Sequence, residues 1–528
     1  MRKVRVRFAP SPTGALHMGG VRTALFNYLF AKKHGGDFIL RIEDTDSTRF
    51  VPGAEAYIIE ALKWCGIEPN EGVGFGDGPC APYKQSHRNE AGFYNPYIAK
   101  LVAQGNAYYA FDTKEELDLI KDGVADLRKK GVKVREFSYG VFTRDKLNNS
   151  LVLSKDETDK LIADGVPYVI RLKMPHNEDI IFKDLIRGNM SVKSHTIDDK
   201  VLFKSDGMPT YHLANVVDDH MMDISHVIRG EEWLPSAPLH VMLYKYLGWA
   251  DTMPEFAHLP LIMGPNGKLS KRDGDALGFP VFPLKWTDPK TGETSSGYRE
   301  NGYMPEAFNN MIAFLGWNPG GTKEILSMAE MIESFSFEKV GKSGAKFDLK
   351  KAEWFNHQHM NKTNNTVLAK MWIESGNLIK NWQKDVIEKE IKKIDPRIDK
   401  FEYVCSVCGL LKEKVSNIHK FWESGKYFFV SPDSNSVEVE HAPLLLDMMV
   451  NMKADEIFTH DSLRASFDLA VKSSGEDARK AGMILRTAIT GMSVGPPLFD
   501  VMELLGKEES IKRIVSAVKY EHHSEDHR

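Results

Sequence analysis

The first 42 residues constrain the fold more strongly than any other part of the chain, because they alternate between strand and helix patterns. Residues 4–8 alternate apolar and basic side chains, which predicts a strand. A helical stretch runs from about Leu16 to Lys33 and should end at the glycine pair 35–36. Residues 38–42 again read as a strand. This order predicts a βαβ unit, so a parallel sheet begins near the N-terminus.

The length of 528 residues exceeds what one hydrophobic core usually serves, so several domains are expected. With 42% hydrophobic and 27% charged residues, the composition is that of a folded globular protein. The formal net charge is only -4, so local basic faces would have to bind any nucleic-acid partner. No apolar run reaches membrane-spanning length and the N-terminus lacks the apolar region of a signal peptide. We therefore expect a soluble, cytoplasmic protein without membrane association.

Cysteine is sparse, with four in the chain, which indicates a reducing compartment without a disulfide framework. Cys405 and Cys408 form one CxxC pair, but no second pair and no nearby histidine pair completes the four ligands of a zinc site. We interpret them as two small apolar residues on a helix and expect no zinc. The polar tail 521–528 carries three histidines and is expected to be frayed.

Changes in composition predict how the chain is divided. Lys, Asp and Glu dominate residues 110–200, so we interpret this stretch as an insertion that does not continue the sheet. The α/β pattern then resumes, and residues 285–302 read as a polar surface loop. From about residue 346 the chain is helix-biased, with an inner boundary near 430–440. This pattern predicts an α/β half followed by an all-α half.

A nucleotide-binding element is predicted where the first strand meets the first helix, at residues 15–20. The N-terminus of a helix presents free N–H groups and a positive dipole end to phosphate. The small residues Gly19 and Gly20 let a purine or ribose approach the backbone. His17 can donate hydrogen bonds to a phosphate as its charge builds up. The alternative is a purely structural histidine at the start of the helix.

A second candidate phosphate-binding element, Lys-Leu-Ser-Lys-Arg-Asp-Gly, occupies residues 268–274. Three cations, a serine and flanking glycines suit a mobile loop that closes on a polyphosphate. The alternative is a solvated basic loop. Dehydrogenase and P-loop folds are excluded, because residues 72–76 lack the strand–turn–helix context of a dinucleotide fingerprint and no Walker pattern occurs.

Together and in this order, the two elements resemble the HIGH and KMSKS signatures of class I aminoacyl-tRNA synthetases. The second histidine of HIGH is replaced by Gly20, a departure similar to the glutamyl branch. Further blocks that resemble the glutamyl and glutaminyl enzymes are 7–14 (RFAPSPTG), 41–46 (RIEDTD), 211–220 (YHLANVVDDH) and 227–233 (VIRGEEW). On these motifs the chain is identified as a member of the bacterial-type glutamyl-tRNA synthetases, with similarity from residue 2 to about 350 and more loosely to about 515.

The resemblance implies an α/β Rossmann-like class I catalytic domain with an inserted α+β acceptor-binding domain, followed by an all-α anticodon-binding region. The implied segments are 1–109 and 201–250 (two halves of the catalytic domain), 110–200 (acceptor-end binding), 251–345 (stem-contact region with the KMSKS-like loop), 346–435 (first helical anticodon-binding domain) and 436–528 (second helical anticodon-binding domain and polar tail).

The resemblance further implies ligation of L-glutamate to tRNA(Glu) with ATP and Mg²⁺ through a glutamyl-adenylate, by a protein that is usually a monomer in this family. The substrate has two carboxylates and one ammonium, so its pocket needs at least one cation and one anion. By similarity, Arg7 binds the side-chain carboxylate and Glu43 the ammonium. A structural alternative for Arg7 and Arg229 is an ion pair with Asp44 or Glu231. The other implied glutamate-binding residues are Ala9, Ser11, Tyr211, Asn215 and Arg229.

The implied catalytic residues are His17, Lys268 and Lys271, which stabilise charge on the transferring and leaving phosphates without a protein nucleophile. A loose alignment places Lys414 where enzymes restricted to the glutamate tRNA read the last anticodon base with an arginine. Because lysine lacks the bidentate fork, charging of tRNA(Gln) stays open. The implied ATP-binding residues are Pro10, Gly14, His17, Gly19, Gly20, Lys268, Leu269, Ser270, Lys271 and Arg272.

Three other functions stay open at this level. A glutaminyl-tRNA synthetase would show a β-rich C-terminal half. The truncated paralogue that glutamylates a modified tRNA base would lack the anticodon domains. A non-catalytic tRNA-binding or regulatory protein would have lost His17 or the cation loop, and both are present.

Overall fold

In a computed structural model, the chain divides into two compact units. The first comprises Met1–Tyr298 and Asn309–Asp348, and the second comprises Arg299–Phe308 and Leu349–Arg528. The structure describes residues 2–265, 267–375, 400–432 and 438–519. The polar tail that the sequence predicts to be frayed lies outside the described residues. The five predicted segments stay predictions.

The structure gives the following elements in chain order. The strands are β1 (Arg5–Phe8), β2 (Asp37–Leu40), β3 (Glu71–Gly72), β4 (Ala107–Ala110), β5 (Val169–Leu172), β6 (Asp179–Asp184), β7 (Gly188–Lys193), β8 (Val201–Phe203), β9 (His226–Gly230), β10 (Glu255–Leu259), β11 (Ile262–Gly264), β12 (Gly267–Lys268), β13 (Trp286–Thr287), β14 (Thr294–Ser295) and β15 (Ala345–Lys346). The helices of the described part are α1 (Met18–Lys33), α2 (Ala54–Trp64), α3 (Gln85–Glu90), α4 (Asn95–Ala103), α5 (Lys114–Lys129), α6 (Lys155–Ala163), α7 (Tyr211–Met221), α8 (Ala237–Tyr246), α9 (Lys271–Leu277), α10 (Pro305–Ala313), α11 (Met328–Ser334), α12 (Leu349–Lys362), α13 (Asn365–Glu374), α14 (Lys400–Leu411), α15 (Lys420–Gly425), α16 (Ala442–Ala454), α17 (His460–Ser474), α18 (Ala478–Thr490), α19 (Leu498–Leu505) and α20 (Lys507–Lys519).

Parallel strands organise the first unit. β1 pairs with β2 and β2 with β3, while β9 pairs with β10 and β10 with β6, all in parallel. β7 is the antiparallel partner of β6. The N–H of Ser225, just before β9, donates to the carbonyl of Arg5 in β1 at 2.9 Å, so β1 and β9 lie side by side. The chain leaves β1 toward β2 on one side while the later strands lie on the other. Open α/β sheets bind ligands at such a reversal of strand order.

The predicted βαβ unit at the N-terminus is confirmed, with element ends that differ by one or two residues. β1 and β2 pair from Arg5 opposite Asp37 to Phe8 opposite Leu40. Helix α1 begins at Met18 because His17 is its N-cap, where the ring Nδ1 accepts the N–H of Gly19 at 3.2 Å. A histidine nitrogen thus satisfies one of the N–H groups that a helix start leaves free.

The expectation that residues 110–200 do not continue the sheet is wrong for residues 179–193. β6 pairs with β10, with Asp184 opposite Phe256. The burial of β6 alternates strictly along the strand, so Ile180, Phe182 and Asp184 face the interior while Asp179, Ile181 and Lys183 are exposed. The charged composition of the surrounding segment conceals this amphipathic strand. β4, β5 and β8 form a separate antiparallel sheet.

Within its described residues 299–308, 349–375, 400–432 and 438–519, the regular secondary structure of the second unit is helical, as predicted for the C-terminal half. Its core includes Trp372, which is fully buried, with the ring of Phe421 at 5.2 Å. Cys405 and Cys408 lie on α14, as predicted, and Cys408 is buried in the same core. No helix within the described residues of either unit combines the length and apolarity needed to cross a membrane.

Candidate active site

Helix α7 directs four polar side chains to the ends of β1 and β9. Tyr211, Asn215, Asp218 and Asp219 recur at helical spacing, so they share one side of the helix. The two aspartates are almost completely buried, at 0% and 1% exposure. Two residues predicted for the site therefore lie beside two that the sequence analysis did not assign to it.

Asp219 anchors the first predicted cation. Its carboxylate accepts Arg7 Nε at 2.9 Å and Arg7 Nη2 at 3.0 Å, a bidentate contact, and Arg41 Nη1 at 2.7 Å. Although burial opposes it, the two guanidiniums hold the pKa of Asp219 below its ordinary value. The Nη1 group of Arg7 has no acceptor among the described residues. The pairing therefore fixes the orientation of Arg7 and leaves one of its amino groups open.

Glu43 is fixed from two sides. Its Oε1 accepts Arg41 Nη2 at 2.8 Å and Asn215 Nδ2 at 3.0 Å. Its backbone N–H donates to the carbonyl of Pro10 at 3.0 Å. Burial raises the pKa of Glu43, although Arg41 and Arg7 oppose the shift. Its Oε2 has no donor in the described part of the chain, so the group presents one open anionic oxygen that suits an ammonium.

Arg41 and Asp218 extend this hydrogen-bond network beyond Arg7 and Glu43, and neither was predicted as a site residue. Arg41 is fully buried and its Nε lies 3.8 Å from Asp218 Oδ2. Asp218 also accepts Arg88 Nε at 2.6 Å and Gln85 Nε2 at 2.8 Å. Arg41 and Asp218 both lie inside sequence blocks that resemble the glutamyl enzymes. Only the packing of α7 against the strands shows that they belong to the network that orients Arg7 and Glu43.

Arg229 is buried at 5% exposure and contacts no carboxylate among the described residues. Its Nε donates to His258 Nε2 at 3.0 Å and its Nη1 to the hydroxyl of Tyr211 at 2.8 Å. Two longer contacts join Nη1 to His240 Nδ1 at 3.4 Å and Nη2 to the carbonyl of Trp233 at 3.3 Å. Burial lowers the pKa of His240 well below its ordinary value, so this imidazole is uncharged. The charge of Arg229 is thus solvated by neutral groups and not neutralised.

The structural alternative, in which Asp44 or Glu231 pairs with the two arginines of the pocket, is wrong. Asp44 accepts the backbone N–H of Ser86 at 2.8 Å and its hydroxyl at 2.7 Å. Ser86 lies in the first turn of α3, so Asp44 serves the start of that helix. Glu231 forms an ion pair with Arg187.

His17 presents a buried donor without an acceptor. Its Nδ1 accepts the N–H of Gly19, so in the neutral ring the proton lies on Nε2. Burial, with a smaller effect of nearby Lys268, lowers the pKa of His17 to about 4, so the ring is neutral at pH 7. Nε2 is buried and has no partner among the described residues. Such an orphan N–H is satisfied when a bound ligand supplies an oxygen.

The second predicted element, expected to be a loop, includes the start of a helix. Ser270 is the N-cap of α9, and its N–H and hydroxyl donate to Asp273 Oδ2 at 2.8 and 2.7 Å. Lys271 and Arg272 therefore lie in the first helical turn. Leu269 is buried and anchors the segment to the core. The reason for this difference is the capping box that Ser270 and Asp273 form three residues apart.

The two lysines of this element have different surroundings. Lys268 lies near His17, whose pKa it lowers, and its Nζ is 3.4 Å from Glu232 Oε1. Lys271 Nζ pairs with Glu293 Oε1 at 2.8 Å. Glu293 belongs to the predicted surface loop and its side chain is 61% exposed, so a bound polyphosphate can displace it at little cost.

The turn between β1 and α1 shapes the space beside His17. Residues 9–11 follow β1 directly, and Gly14 has a φ of 145°, which side chains other than glycine rarely adopt. A Cβ at Gly20 would lie 2.5 Å from Leu16 Cδ1, so glycine at this position also has a packing role. A Cβ at Gly19 would make ordinary contacts only.

A cavity of about 410 Å³ opens beside Tyr211 in the first unit. Its lining includes three cationic side chains, whose charge one aspartate partly offsets, and two tyrosine rings. Arg171 stacks on Tyr139 at 3.8 Å, and its buried Nε has no partner among the described residues. The charged and aromatic residues of its lining are Lys121, Arg171, Lys200, Asp198, Phe137, Tyr139, Tyr211 and His212. Cations combined with ring faces suit a nucleotide.

A separate cavity of about 400 Å³ lies in the second unit at α17, α18 and α19. Its lining combines Arg464, Arg479 and Arg486 with the aromatic side chain of Phe499. Lys414, which the loose alignment proposed as an anticodon contact, is exposed in the turn after α14 and does not line this cavity. These three arginines were not predicted as site residues from the sequence. The available signal was the seven-residue spacing of Arg479 and Arg486 along α18, which places them on one side of the helix.

Comparisons with known proteins agree with this geometry. Residues 3–354 match the family model described as tRNA synthetases class I (E and Q), catalytic domain, and residues 391–518 match an anticodon binding domain. The chain is 51% identical to a glutamate–tRNA ligase of Phocaeicola vulgatus, with 98% of this chain and 99% of that protein covered. It is 49% identical to a glutamate–tRNA ligase of Cytophaga hutchinsonii, with 98% and 97% covered. The crystal structure of a glutamate tRNA ligase from Elizabethkingia meningosepticum in complex with its amino acid has a TM-score of 0.87 at 47% identity, with 98% of this chain and 99% of that chain covered.

Replacing Asp219 by asparagine should destabilise the first unit. The amide leaves buried Arg7 without its anion and removes one of the anions around Arg41. Removal of one partner of a buried pair costs about 3–5 kcal/mol. Differential scanning calorimetry of the variant measures the loss. Asp223→Asn is the matched control, because Asp223 pairs with Arg2 at the surface and should leave the unfolding temperature nearly unchanged. Equal effects of the two substitutions would contradict the role given to Asp219.

Proposed function

The chain belongs to the class I tRNA synthetases of the glutamate and glutamine branch, and on this premise we propose that it ligates L-glutamate to tRNA(Glu) with ATP. The relatives that match nearly the whole chain carry the name glutamate–tRNA ligase. One observation carries the proposal: Arg7, with an open amino group, and Arg229, with only neutral partners, lie buried near the carboxylate of Glu43, which has an open oxygen. This charge pattern is complementary to free glutamate, which has two carboxylates and one ammonium.

We assign the side-chain carboxylate of glutamate to Arg7 and its ammonium to Glu43, with Arg229 and Tyr211 completing the anion-binding side. Asn215 orients Glu43 through their 3.0 Å hydrogen bond. Ala9 and Ser11, which follow β1, are placed to contact the substrate from the loop. Glutamine would set a neutral amide against a buried guanidinium, so part of the charge-assisted bonding is lost, at a cost of about 1–3 kcal/mol.

In the activation step, an oxygen of the α-carboxylate of glutamate attacks the α-phosphorus of ATP. The bond from that phosphorus to the bridging oxygen breaks, and pyrophosphate leaves. The N–H at Nε2 of His17 is a buried, neutral donor that can bond a phosphate oxygen as charge builds up. Lys268 and Lys271 stabilise the charge of the leaving group. The chain supplies position and electrostatics, so no protein nucleophile takes part.

The ATP-binding role extends to the residues around these three groups. Pro10 and Gly14 shape the turn before α1, and Gly19 and Gly20 open its first turn to the nucleotide. The cap at Ser270, beside Leu269 and Arg272, fixes where Lys271 leaves the helix. The supporting observation is that the orphan N–H of His17 and the cation Lys268 are neighbours in the structure.

We propose that Mg²⁺ arrives with ATP, held by its phosphate oxygens, because Mg²⁺ is usually bound through substrate phosphates and few protein ligands. Within the described residues, one group of three metal-ligand side chains lies close together, Glu438, Glu440 and His441. His441 already bonds Glu476 at 2.8 Å, and the group lies in the second unit. Since one of its three donors is an imidazole that already has a partner, and Mg²⁺ prefers oxygen ligands, this group does not fit a magnesium site for this reaction.

In the transfer step, a hydroxyl of the terminal adenosine ribose attacks the carbonyl carbon of the adenylate, and AMP leaves. In the family this is the 2′-hydroxyl. The basic, aromatic cavity beside Tyr211 supports binding of the terminal nucleotide there. Since Tyr211 also lines the glutamate pocket, a nucleotide in this cavity would lie next to the activated amino acid.

The second unit is proposed to bind the anticodon. The anticodon family model covers residues 391–518, and the cavity with three arginines and Phe499 lies in that range. Arginine and an aromatic ring bind phosphate and stack on unpaired bases. Lys414, in the turn after α14, remains a separate candidate contact. A cytoplasmic location and a monomeric state, both expected from the resemblance, stay predictions.

The glutaminyl alternative is less well supported, because the described part of the second unit is helical and the relatives are named for glutamate. The truncated paralogue lacks the anticodon region that this chain has. Arg7, Glu43 and His17 each retain a polar atom without a partner among the described residues, which supports a ligand-binding role over a purely structural one. Charging of tRNA(Gln) is a question of anticodon reading and is decided by experiment.

Pyrophosphate exchange tests the proposed function most directly. Wild-type protein is assayed with glutamate and with glutamine, each with and without tRNA(Glu). We expect exchange with glutamate in the presence of tRNA, and kcat/KM for glutamine lower by on the order of 100-fold. Charging of tRNA(Glu) and tRNA(Gln) with labelled glutamate then measures tRNA selection. Equal exchange with the two amino acids, or none with glutamate, would refute the proposal.

Lys271→Ala should lower the rate of activation on the order of 100-fold while glutamate affinity changes little, because a cation on the leaving phosphates acts mainly in the transition state. Single-turnover formation of the adenylate gives the rate, and calorimetry gives the affinity. Glu293→Ala removes the partner of Lys271 without touching the lysine and should retain at least the wild-type rate. Unchanged turnover in Lys271→Ala would remove the lysine from the mechanism.

Glutamate binding should weaken in mildly acidic solution. Burial raises the pKa of Glu43 above its ordinary value of 4.5, and only the ionised form binds an ammonium. Affinity is therefore constant above the raised pKa and falls about tenfold per pH unit below it. Calorimetric titration from pH 8 down to 4.5 measures where this decline begins, and the decline should be absent in Glu43→Gln, whose affinity is low throughout. A decline that begins only below 4.5, or one that persists in Glu43→Gln, would be inconsistent with this role.

A further inference from the structure

We propose that Asp184 and His258 form a buried relay that orients Arg229 toward a carboxylate of the substrate, which makes both of them positioning residues for glutamate. The inference rests on the proposed function. The sequence analysis assigned neither residue to the site. Both are fully or almost fully buried, at 1% and 0% exposure, and they connect Arg229 to the neighbouring strands β10 and β6.

The three side chains form one hydrogen-bonded chain across neighbouring strands. Arg229 on β9 and His258 on β10 are direct register partners, so their side chains lie on the same face of the parallel pair. Arg229 Nε lies 3.0 Å from His258 Nε2, and His258 Nδ1 lies 2.6 Å from Asp184 Oδ2. Asp184 ends β6, the strand on the other side of β10. Three adjacent strands thus supply one member each.

The contacts determine where the imidazole proton lies. The Nε of an arginine always carries a hydrogen, so His258 Nε2 must be the acceptor of that bond. The ring is then neutral with its proton on Nδ1, which donates to Asp184. Burial lowers the pKa of His258, which agrees with a neutral ring. Asp184 selects the tautomer, and the tautomer presents a lone pair to Arg229.

The backbone holds Asp184 in place. Its Oδ1 accepts the N–H groups of Ile186 at 2.9 Å and Arg187 at 2.8 Å, and its Oδ2 accepts the N–H of His258 at 3.1 Å. Although burial opposes it, these donors and His258 hold the pKa of Asp184 below its ordinary value. The carboxylate is therefore ionised and immobile, which is what a group needs in order to fix an imidazole.

An imidazole between the carboxylate and the guanidinium has a consequence that a direct ion pair lacks. A carboxylate on Arg229 would occupy its N–H groups and compete with the substrate. The relay instead uses only Nε and keeps the anion one ring away from the ligand side. The contacts of Arg229 to Trp233 and His240 are long, at 3.3 and 3.4 Å. A substrate carboxylate can replace these two contacts while the relay stays intact.

Asp184→Asn tests the relay with almost no change in volume. The amide would face His258 Nδ1 as a donor, so the ring proton moves to Nε2, where it opposes the N–H of Arg229. We expect KM for glutamate to rise about 10-fold to 100-fold, the usual range for loss of a group that orients a ligand-binding residue. KM for ATP and the unfolding temperature of the variant are measured alongside, since a folding defect moves all of them together. A rise in KM for glutamate alone supports the relay.

Two substitutions of His258 separate acceptor from packing. In His258→Gln the amide oxygen can still accept from Arg229, whereas in His258→Phe no acceptor remains. KM for glutamate should increase in the order wild type, His258→Gln, His258→Phe. His226→Gln is the control. His226 lies on β9, the strand of Arg229, but it bonds Ser225, so this variant should keep the wild-type KM. An inverted order, or KM values equal to wild type in both His258 variants, would overturn the proposal.

Nitrogen NMR of histidine-labelled protein reads the tautomer without any assay of activity. The signal of His258 is assigned by its loss in His258→Gln. We expect Nδ1 protonated and Nε2 unprotonated in wild type, and the reverse in Asp184→Asn. A wild-type ring with a proton on Nε2 overturns the relay. If wild-type protein fails to charge tRNA with glutamate while this tautomer is found, the proposed function fails and the relay stands.

Discussion

Two buried guanidiniums, Arg7 and Arg229, which the fold orients without fully neutralising them, determine what this site can bind. Transfer of an ion from water into a protein interior costs several kcal/mol, so each guanidinium must be stabilised by partners. Arg7 takes a bidentate contact from Asp219, and Arg229 takes neutral acceptors and a carboxylate one imidazole away. In both cases the side chain is fixed while some of its N–H groups stay available, since Arg7 Nη1 has no partner among the described residues and Arg229 has two long contacts that a ligand can replace.

The arrangement follows from the reversal of strand order between β1 and β9. These strands end side by side and present Arg7 and Arg229 at the same edge, and α7 crosses that edge with its polar face. Helical spacing places Tyr211 against Arg229 and Asp219 against Arg7, so one helix serves both cations. The helix α1 starts at the end of β1, which brings the free N–H of His17 to the same region. Amino acid and nucleotide can therefore meet where the sheet changes direction.

Much of this could be predicted from the sequence where the signal is local. The strand–helix–strand order, the N-terminal position of His17 and the helical second unit all depend on neighbouring residues. The start of α9 was missed although its signal is local, since Ser270 and Asp273 form a capping pair. The alternation in β6 is equally local, but the charged segment around it favoured an insertion.

Contacts between distant residues could not be predicted in this way. Asp184 and His258 are 74 positions apart, and their pairing depends on β6 and β10 lying side by side. The bidentate contact of Asp219 with Arg7 likewise joins residues 212 positions apart. Resemblance to known enzymes supplied the candidate substrate-binding residues, because those stand in short motifs. The residues that orient them are set by the tertiary structure, and the physical account of the site depends on those.

A crystal structure of the protein with bound L-glutamate tests this account most directly. We expect one carboxylate of glutamate within about 3 Å of Arg7 Nη1 and the other within about 3 Å of the guanidinium of Arg229. The ammonium of glutamate should bind Glu43 Oε2. The chain from Arg229 through His258 to Asp184 should be unchanged. Glutamate bound elsewhere, or Arg229 turned onto a carboxylate of the protein, would contradict it.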